Sequence, residues 1–475
     1  MAYPYDAIPE GYEGMHWEDD SADEQDAELS LNDLLEHCLL PTVHEASIQF
    51  GTVMMWCLIF RASASFLPLP AIPVHLLSAT CGLAALTSMF GEAVLYFPAL
   101  ATVGYAALGV ARFCTRWGYR CCGPVSAFAC VVFIISSFSG CFHFSELAFS
   151  DPSVWHMVRG AQMLVVMKIV SVGFDVDSDE KAHLPNASQY YGYILHVGCV
   201  VFGPWISFKD YLTVLTRPSI NFIWVVSVMR SGALAMFCFA MSSCVTIWTS
   251  TWGTWKWWLA YNDAFAYRMS HYFISFMSEA TVMASGIGCH GEGKTWSFPV
   301  AVPSKIELPR SLVQVVVYWN IPMHVWLKEY VFRPSQRFGL GGFPAILLTY
   351  VASAMLHGLN GQLWAVLLSL GLSTYVEHIL REKLSSIYDA CIRARPCKEK
   401  CSHHKTFFSA VTLVWNTLFF ILAISSLAYL GVMFDSDPKL QEQGYDLTHT
   451  FAKWLYLDFT GHWIALSMYV VYKLS

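Results

Sequence analysis

Apolar runs about long enough to cross a hydrocarbon layer recur along this chain from residue 47 onward. They predict helices at roughly 47–67, 72–90, 93–111, 124–142, 155–173, 190–208, 222–250, 262–286, 310–332, 343–358, 362–380, 407–433 and 451–473. Some of these are short, or too polar to face lipid. About eleven are therefore expected to span, the rest being re-entrant or interfacial. Ahead of them, residues 30–40 read as a short amphipathic helix along the interface, capped by Ser30 or Asn32 and stopped by Pro41. The predicted fold class is an all-α polytopic membrane protein.

Two predicted helices break the apolar pattern. The one at 262–286 carries Asn262, Asp263, Arg268, His271 and Glu279, and the one at 310–332 carries Arg310, Gln314, Asn320, His324, Lys328 and Glu329. Such helices must line a wet cavity or pack inside the bundle. His357 is the sharper anomaly. It follows Pro344 to Leu356, a run with no charge and only Thr349, Tyr350 and Ser353 as polar breaks. A lone imidazole there is costly to bury without a partner, and an ionisable group in a membrane segment points to function. Asn320 is the second polar residue out of place. His143, His196, His271, His324 and His378 read as hydrogen-bonded structural histidines.

Composition supports the membrane class: 55% of the 475 residues are hydrophobic and 13% charged, against about 25% charged in a soluble domain. The net charge of −7 divides unevenly, because residues 1–40 hold 12 of the 35 acids and no Lys or Arg. The remaining 23 acids face 28 bases, so the membrane body is mildly basic. Residues 1–29 read as an acidic disordered tail and 30–475 as one multi-span domain. Within that domain lie a core at 155–380, a basic Cys/His loop at 381–406 and terminal spans at 407–475. No cleaved signal peptide is expected, so the first span acts as the signal. Arg112, Arg116 and Arg120 mark one cytosolic loop, and the bases between Arg381 and Lys405 mark another. Counting spans from these loops puts the N-terminus and the turn at 358–361 in the lumen, and the sequon Asn186-Ala-Ser188 in the cytosol. The 15 cysteines are scattered through apolar runs and form no secreted disulfide framework.

Three motifs bear on chemistry. Gly288-Cys-His-Gly-Glu-Gly-Lys-Thr295 matches a phosphate loop in letters, but a helix precedes it and Pro299 and Pro303 follow, so it reads as a glycine-rich loop. Cys391, Cys397, Cys401 and His403 could hold zinc tetrahedrally. Their spacing is not a common finger, and reactive or lipidated thiols or ordinary loop cysteines fit as well; no metal is assigned. Arg159 and Gln162 would make polar contacts inside a cavity, or Arg159 would snorkel from a helix end. There is no repeat of 20–50 residues and no inverted pair of broken helices, which weighs against a transporter.

Trp319-Asn-Ile-Pro-Met-His-Val-Trp326 together with Ala354-Met-Leu-His-Gly358 resembles the signature of the membrane-bound O-acyltransferases. Trp155-His-Met-Val-Arg-Gly-Ala-Gln-Met163, Val201-Phe-Gly-Pro-Trp-Ile-Ser-Phe208, Glu307-Leu-Pro-Arg-Ser311 and Thr374-Tyr-Val-Glu-His-Ile-Leu-Arg381 extend the likeness over about residues 30–475. The glycine-rich stretch Arg337-Phe-Gly-Leu-Gly-Gly342 departs from the pattern as a longer loop. The resemblance implies helices around a through-membrane catalytic tunnel in the endoplasmic reticulum. It further implies palmitoleoyl-coenzyme A as donor and a serine of a Wnt protein as acceptor, with no nucleic acid and no cofactor beyond the co-substrate.

The implied chemistry suits the residues. Acyl transfer to a hydroxyl needs a base and donors for the developing oxyanion. Desolvation favours a neutral imidazole, so His357 is expected to act as base. Asn320 would orient His357 or donate to the thioester oxygen. The thioester is already activated, so no metal is needed. Arg310 and Lys328 would meet coenzyme A phosphates if they lie at the cavity mouth. Trp319, Trp326, Tyr350, Ser353, Glu279, Arg159 and Gln162 complete the expected substrate contacts. The rival readings are a family member acylating a lipid or another secreted peptide and, in a different class, a transporter or lipid-binding scaffold.

Overall fold

The computed structural model describes residues 34–114, 120–138, 152–178, 183–217, 219–291, 295–358, 360–397, 401, 403–434 and 446–475. They are overwhelmingly helical. The longer helices are α1 (Leu40–Phe66), α2 (Ala71–Phe90), α3 (Tyr96–Cys114), α4 (Cys122–Phe138), α5 (Pro152–Ser178), α6 (Ala187–Ile194), α7 (Phe222–Ala240), α8 (Lys256–Ala284), α9 (Leu312–Trp319), α10 (Ile321–Leu327), α11 (Gly342–Leu356), α12 (Gly361–Tyr388), α13 (Ala410–Gly431), α14 (Leu447–Tyr456) and α15 (Thr460–Leu474). Five helical runs are long and apolar enough to cross a membrane: Leu35–Phe66, Ala71–Cys114, Phe222–Val245, Gly361–Tyr388 and Ala410–Gly431. Cys122–Ser136 and Gly342–Leu356 are shorter apolar helices. The acidic tail lies outside the described residues, as does His143.

Three expectations change. Pro41 does not stop a helix. Residues 34–39 form a π-helical stretch that runs into α1, and Pro41 sits at the junction between them. The run at 190–208 is not a span. It holds only the short α6, followed by an irregular segment buried through residue 206. Nor is 310–332 one helix, because it breaks at Asn320.

The irregular segment after α6 can be buried because its polar groups are satisfied by protein. The ammonium of Lys168, fully buried on α5, donates to the carbonyls of Tyr193 (3.0 Å) and Ile194 (3.1 Å). These are the last carbonyls of α6, where a cation is favoured. His196 bridges Ser78 Oγ (2.8 Å) and Ser285 Oγ (3.0 Å), tying α2 to the end of α8. Asn186 caps α6 in a capping box with Gln189, so the sequon asparagine is engaged in local structure.

Gly82 marks the closest approach in this region. A Cβ there would lie 1.7 Å from the Leu195 carbonyl oxygen. Gly82→Ala is therefore an overpacking change with backbone on both sides, expected to cost about 1–3 kcal/mol or more. A fall in monodisperse protein recovered in detergent, beside an unchanged Gly109→Ala control, checks this; nothing lies within 4 Å of a Cβ at Gly109.

Among the described residues one disulfide forms, Cys38–Cys244, joining the lead-in to α1 with the helical stretch that continues α7. The sequence reading anticipated no such pair. The 28 residues of α12 separate the turn before it from the 389–409 loop after it by about 42 Å at 1.5 Å per residue.

Candidate active site

The site is built where a helix is interrupted. α9 begins under tight control: Ser311 caps it, with Gln314 N 3.2 Å from Ser311 Oγ, and Leu312 N donates to Glu377 on α12 at 2.8 Å. Eight residues later Asn320 leaves the helical region (φ −147°, ψ 94°) and becomes the N-cap of α10, its Oδ1 accepting from Met323 N at 3.0 Å. Pro322 sits in the first turn of α10, as expected just inside a helix start.

A break inside a bundle frees backbone groups that need partners. His271 Nε2 lies 2.8 Å from the Trp319 carbonyl, Val302 N donates to Tyr318 O at 3.1 Å, and Ile321 N donates to Val300 O at 2.8 Å. Val300 is itself held, its N–H donating to Glu279 at 2.7 Å. Glu279, Val300 and Ile321 thus form a relay from α8 to the residue beside Asn320. Trp319 stacks on His271 (centroids 4.3 Å, 12° between planes) and faces Tyr267, so an aromatic wall flanks Asn320.

His357 closes α11: His357 N bonds Ser353 O (3.4 Å), Gly358 N bonds Met355 O (3.0 Å), and Gly358 has φ +90°. A glycine at this position lets the chain turn sharply after the last helical residue. The imidazole is half-buried and makes no hydrogen bond with the described residues. α11 packs against α10, the helix that Asn320 caps. An imidazole with no hydrogen bond among the described residues thus ends a helix packed beside the one that Asn320 begins. Asn320 keeps its amide N–H groups while its oxygen is occupied as a cap. An imidazole so placed can accept a proton, and the amide can donate to an oxygen.

The other expected contacts divide. Trp319 and Glu279 belong to this region, Glu279 as the buried anchor just described. Ser353 is buried next to His357 in α11, and Tyr350 packs against Gly371 of α12. Trp326 is buried with its indole N–H donating to Met167 O at 2.9 Å, and Gln162 accepts from Tyr96 at 3.1 Å, so both tie helices together. Arg159 is half-buried on α5 and Lys328 is exposed. Arg310 holds the 391–393 backbone instead of facing the site, with Nη2 2.7 Å from Cys391 O and Nε 3.0 Å from Arg393 O.

Two carboxylates, Glu307 half-buried and Glu377 buried, are supports that the sequence pattern did not single out. Glu307 takes both Nε and Nη2 of Arg268 (2.8 and 3.1 Å) and the Tyr272 hydroxyl (2.7 Å), while Glu377 pairs with Arg381 at 3.3 Å. The Glu-x-x-x-Arg spacing in an apolar helix was the signal for the second. The phosphate-loop letters frame a short antiparallel hairpin, β1 (Cys289–His290) with β2 (Thr295–Trp296), so no helix N-terminus follows to hold a phosphate.

A family model described as membrane-bound O-acyltransferase matches residues 153–381. Over 464 residues the chain is 37% identical to the Homo sapiens protein-serine O-palmitoleoyltransferase porcupine, across 93% of this chain and 97% of that relative. The Anopheles gambiae protein of the same name is 33% identical across 94% of each. Lysophospholipid acyltransferase 2 of Arabidopsis thaliana is 26% identical across 60% of this chain and 68% of that relative.

Proposed function

The chain belongs to the membrane-bound O-acyltransferase family, and we propose that it moves palmitoleate from palmitoleoyl-coenzyme A to a serine hydroxyl of a Wnt protein in the endoplasmic reticulum membrane. The observation that carries this is similarity over nearly the whole length to proteins named protein-serine O-palmitoleoyltransferase. It is an acyltransferase embedded in the membrane as a multi-pass helical protein.

In the proposed mechanism the ring of His357 accepts the serine proton as Oγ attacks the thioester carbonyl. The amide N–H of Asn320 donates to the oxygen that gains negative charge. Collapse of the tetrahedral intermediate breaks the carbon–sulfur bond, and the imidazolium returns its proton to the departing coenzyme A thiolate. One ester forms and one thioester is lost, with no net proton change. The break at Asn320 serves this step by presenting an amide where an unbroken helix would present a side chain on a closed backbone.

The acceptor is tested by incubating the purified chain with labelled palmitoleoyl-coenzyme A and one of three acceptors. These are a Wnt hairpin peptide, the same peptide with its serine changed to alanine, and a lysophospholipid. Label is expected on the serine peptide alone. Label on the lysophospholipid alone overturns the protein-acylating reading and favours the activity named for the Arabidopsis thaliana relative.

A further inference from the structure

The loop between α12 and α13 gathers three thiols and an imidazole at one point, far from the reacting groups. Cys391 Sγ lies 3.3 Å from Cys397 Sγ, and Cys397 Sγ and Cys401 Sγ lie 3.5 and 3.2 Å from His403 Nδ1. All three sulfurs lie within 4.8 Å of one another. We propose that Cys391, Cys397, Cys401 and His403 form a closed structural zinc site.

Three observations on the ligands themselves converge. Zinc–sulfur and zinc–nitrogen distances of about 2.3 and 2.0 Å give a tetrahedron with edges of roughly 3.5–3.8 Å, and the Cys391–Cys397, Cys397–His403 and Cys401–His403 separations of 3.3, 3.5 and 3.2 Å lie within a few tenths of an ångström of those edges. The nearest sulfurs are much farther apart than the roughly 2.05 Å of a disulfide, and all three cysteines are free. The outer contacts of the histidine set its tautomer. Ser385 Oγ donates to Ala390 O at 2.7 Å, so it accepts from His403 Nε2 at 3.1 Å. That leaves the Nδ1 lone pair aimed at the sulfurs, the arrangement a ligating histidine needs.

Charge and backbone complete the case. Three thiolates and one neutral imidazole around Zn²⁺ carry a net charge of −1. Arg310 Nη2 stands 3.7 Å from Cys391 Sγ to offset it. The loop is closed at its base, with Cys391 N donating to Lys405 O (3.0 Å) and Lys405 N to Asp389 O (2.9 Å). With four protein ligands there is no open position for a water, so the role is structural. The stabilised element is the loop that Arg310 and Ser311 grip just before α9. Ser311 Oγ donates to Ala394 O at 2.9 Å. The ion would thus brace the foot of the helix that ends at Asn320.

The full chain, purified in detergent through a tag without histidines, is expected to carry about one zinc per molecule by mass spectrometry of its metals. Cys397→Ser, Cys401→Ser and His403→Ala should bring zinc to background, while Cys130→Ser, a buried cysteine outside the cluster, leaves it unchanged. If the ligand variants fail to fold, the wild-type protein alone decides. A mercurial titrant should release one zinc, and protein from cobalt-supplemented cells should show thiolate-to-cobalt charge-transfer absorption. Wild-type protein with background zinc and no such absorption overturns the site. So does stoichiometric zinc that survives both Cys401→Ser and His403→Ala.

Discussion

His357→Ala is expected to lower acyl transfer to the Wnt hairpin peptide by about 10²–10⁴-fold, the range for loss of a positioned general base. Folding should be nearly untouched. The ring makes no hydrogen bond among the described residues, so its removal orphans no partner and should change stability by less than about 1 kcal/mol. Binding of palmitoleoyl-coenzyme A should persist, because the base acts after the donor is seated. Asn320→Ala gives a different signature. It also loses the cap on Met323 N, worth about 1 kcal/mol, so its loss of turnover should come with a lower unfolding temperature. The decisive measurement is single-turnover transfer against pH, with donor binding followed in parallel. A His357→Ala protein that binds donor and transfers acyl groups at the wild-type rate removes His357 from the chemistry.

Much of this architecture can be read from sequence because the membrane simplifies the code. Apolar runs near spanning length match the ends of α2 and α11 to within two residues. What could not be read is how a run is used. Residues 190–208 are apolar enough for a span, yet the chain there is irregular, since a buried coil hidden in protein and a helix facing lipid need the same side chains. The partners of that coil, Lys168 at 25 and 26 residues' distance and Ser285 at 89, leave no local trace. Pro41 misled because proline reads alike after a helix and at the junction of two helical stretches.

The candidate site shows the same division. Asn320 and His357 stand out as polar residues in apolar surroundings, which is a local signal. The relay through Glu279 and Val300, the Arg268–Glu307 pair and the Glu377 bond to Leu312 join residues that are distant in the chain. Only the fold reveals them. They explain why the polar helix α8 is tolerated. Much of its polar surface serves as scaffold, holding the broken backbone around Asn320 in one geometry.

The second large effect is expected from that scaffold. Arg381 and Glu377 have side chains 0% and 3% exposed, and Arg381 also donates to Arg310 O (3.0 Å) and Asn416 Oδ1 (2.9 Å). Arg381→Met leaves a buried carboxylate without its counter-charge and should cost about 3–5 kcal/mol. Glu377→Gln added to it removes that charge while keeping an oxygen for Leu312 N, so the double variant should recover part of the loss. Heating each protein in detergent and following the monodisperse peak should give midpoints in the order wild type, double variant, Arg381→Met. Equal midpoints for the single and double variants would show that the unpaired charge is not the cause, leaving the Arg310 and Asn416 contacts to carry it. Activity should follow the same order at temperatures near those midpoints, because Glu377 and Arg381 hold the start of α9 and α9 places Asn320 at its other end.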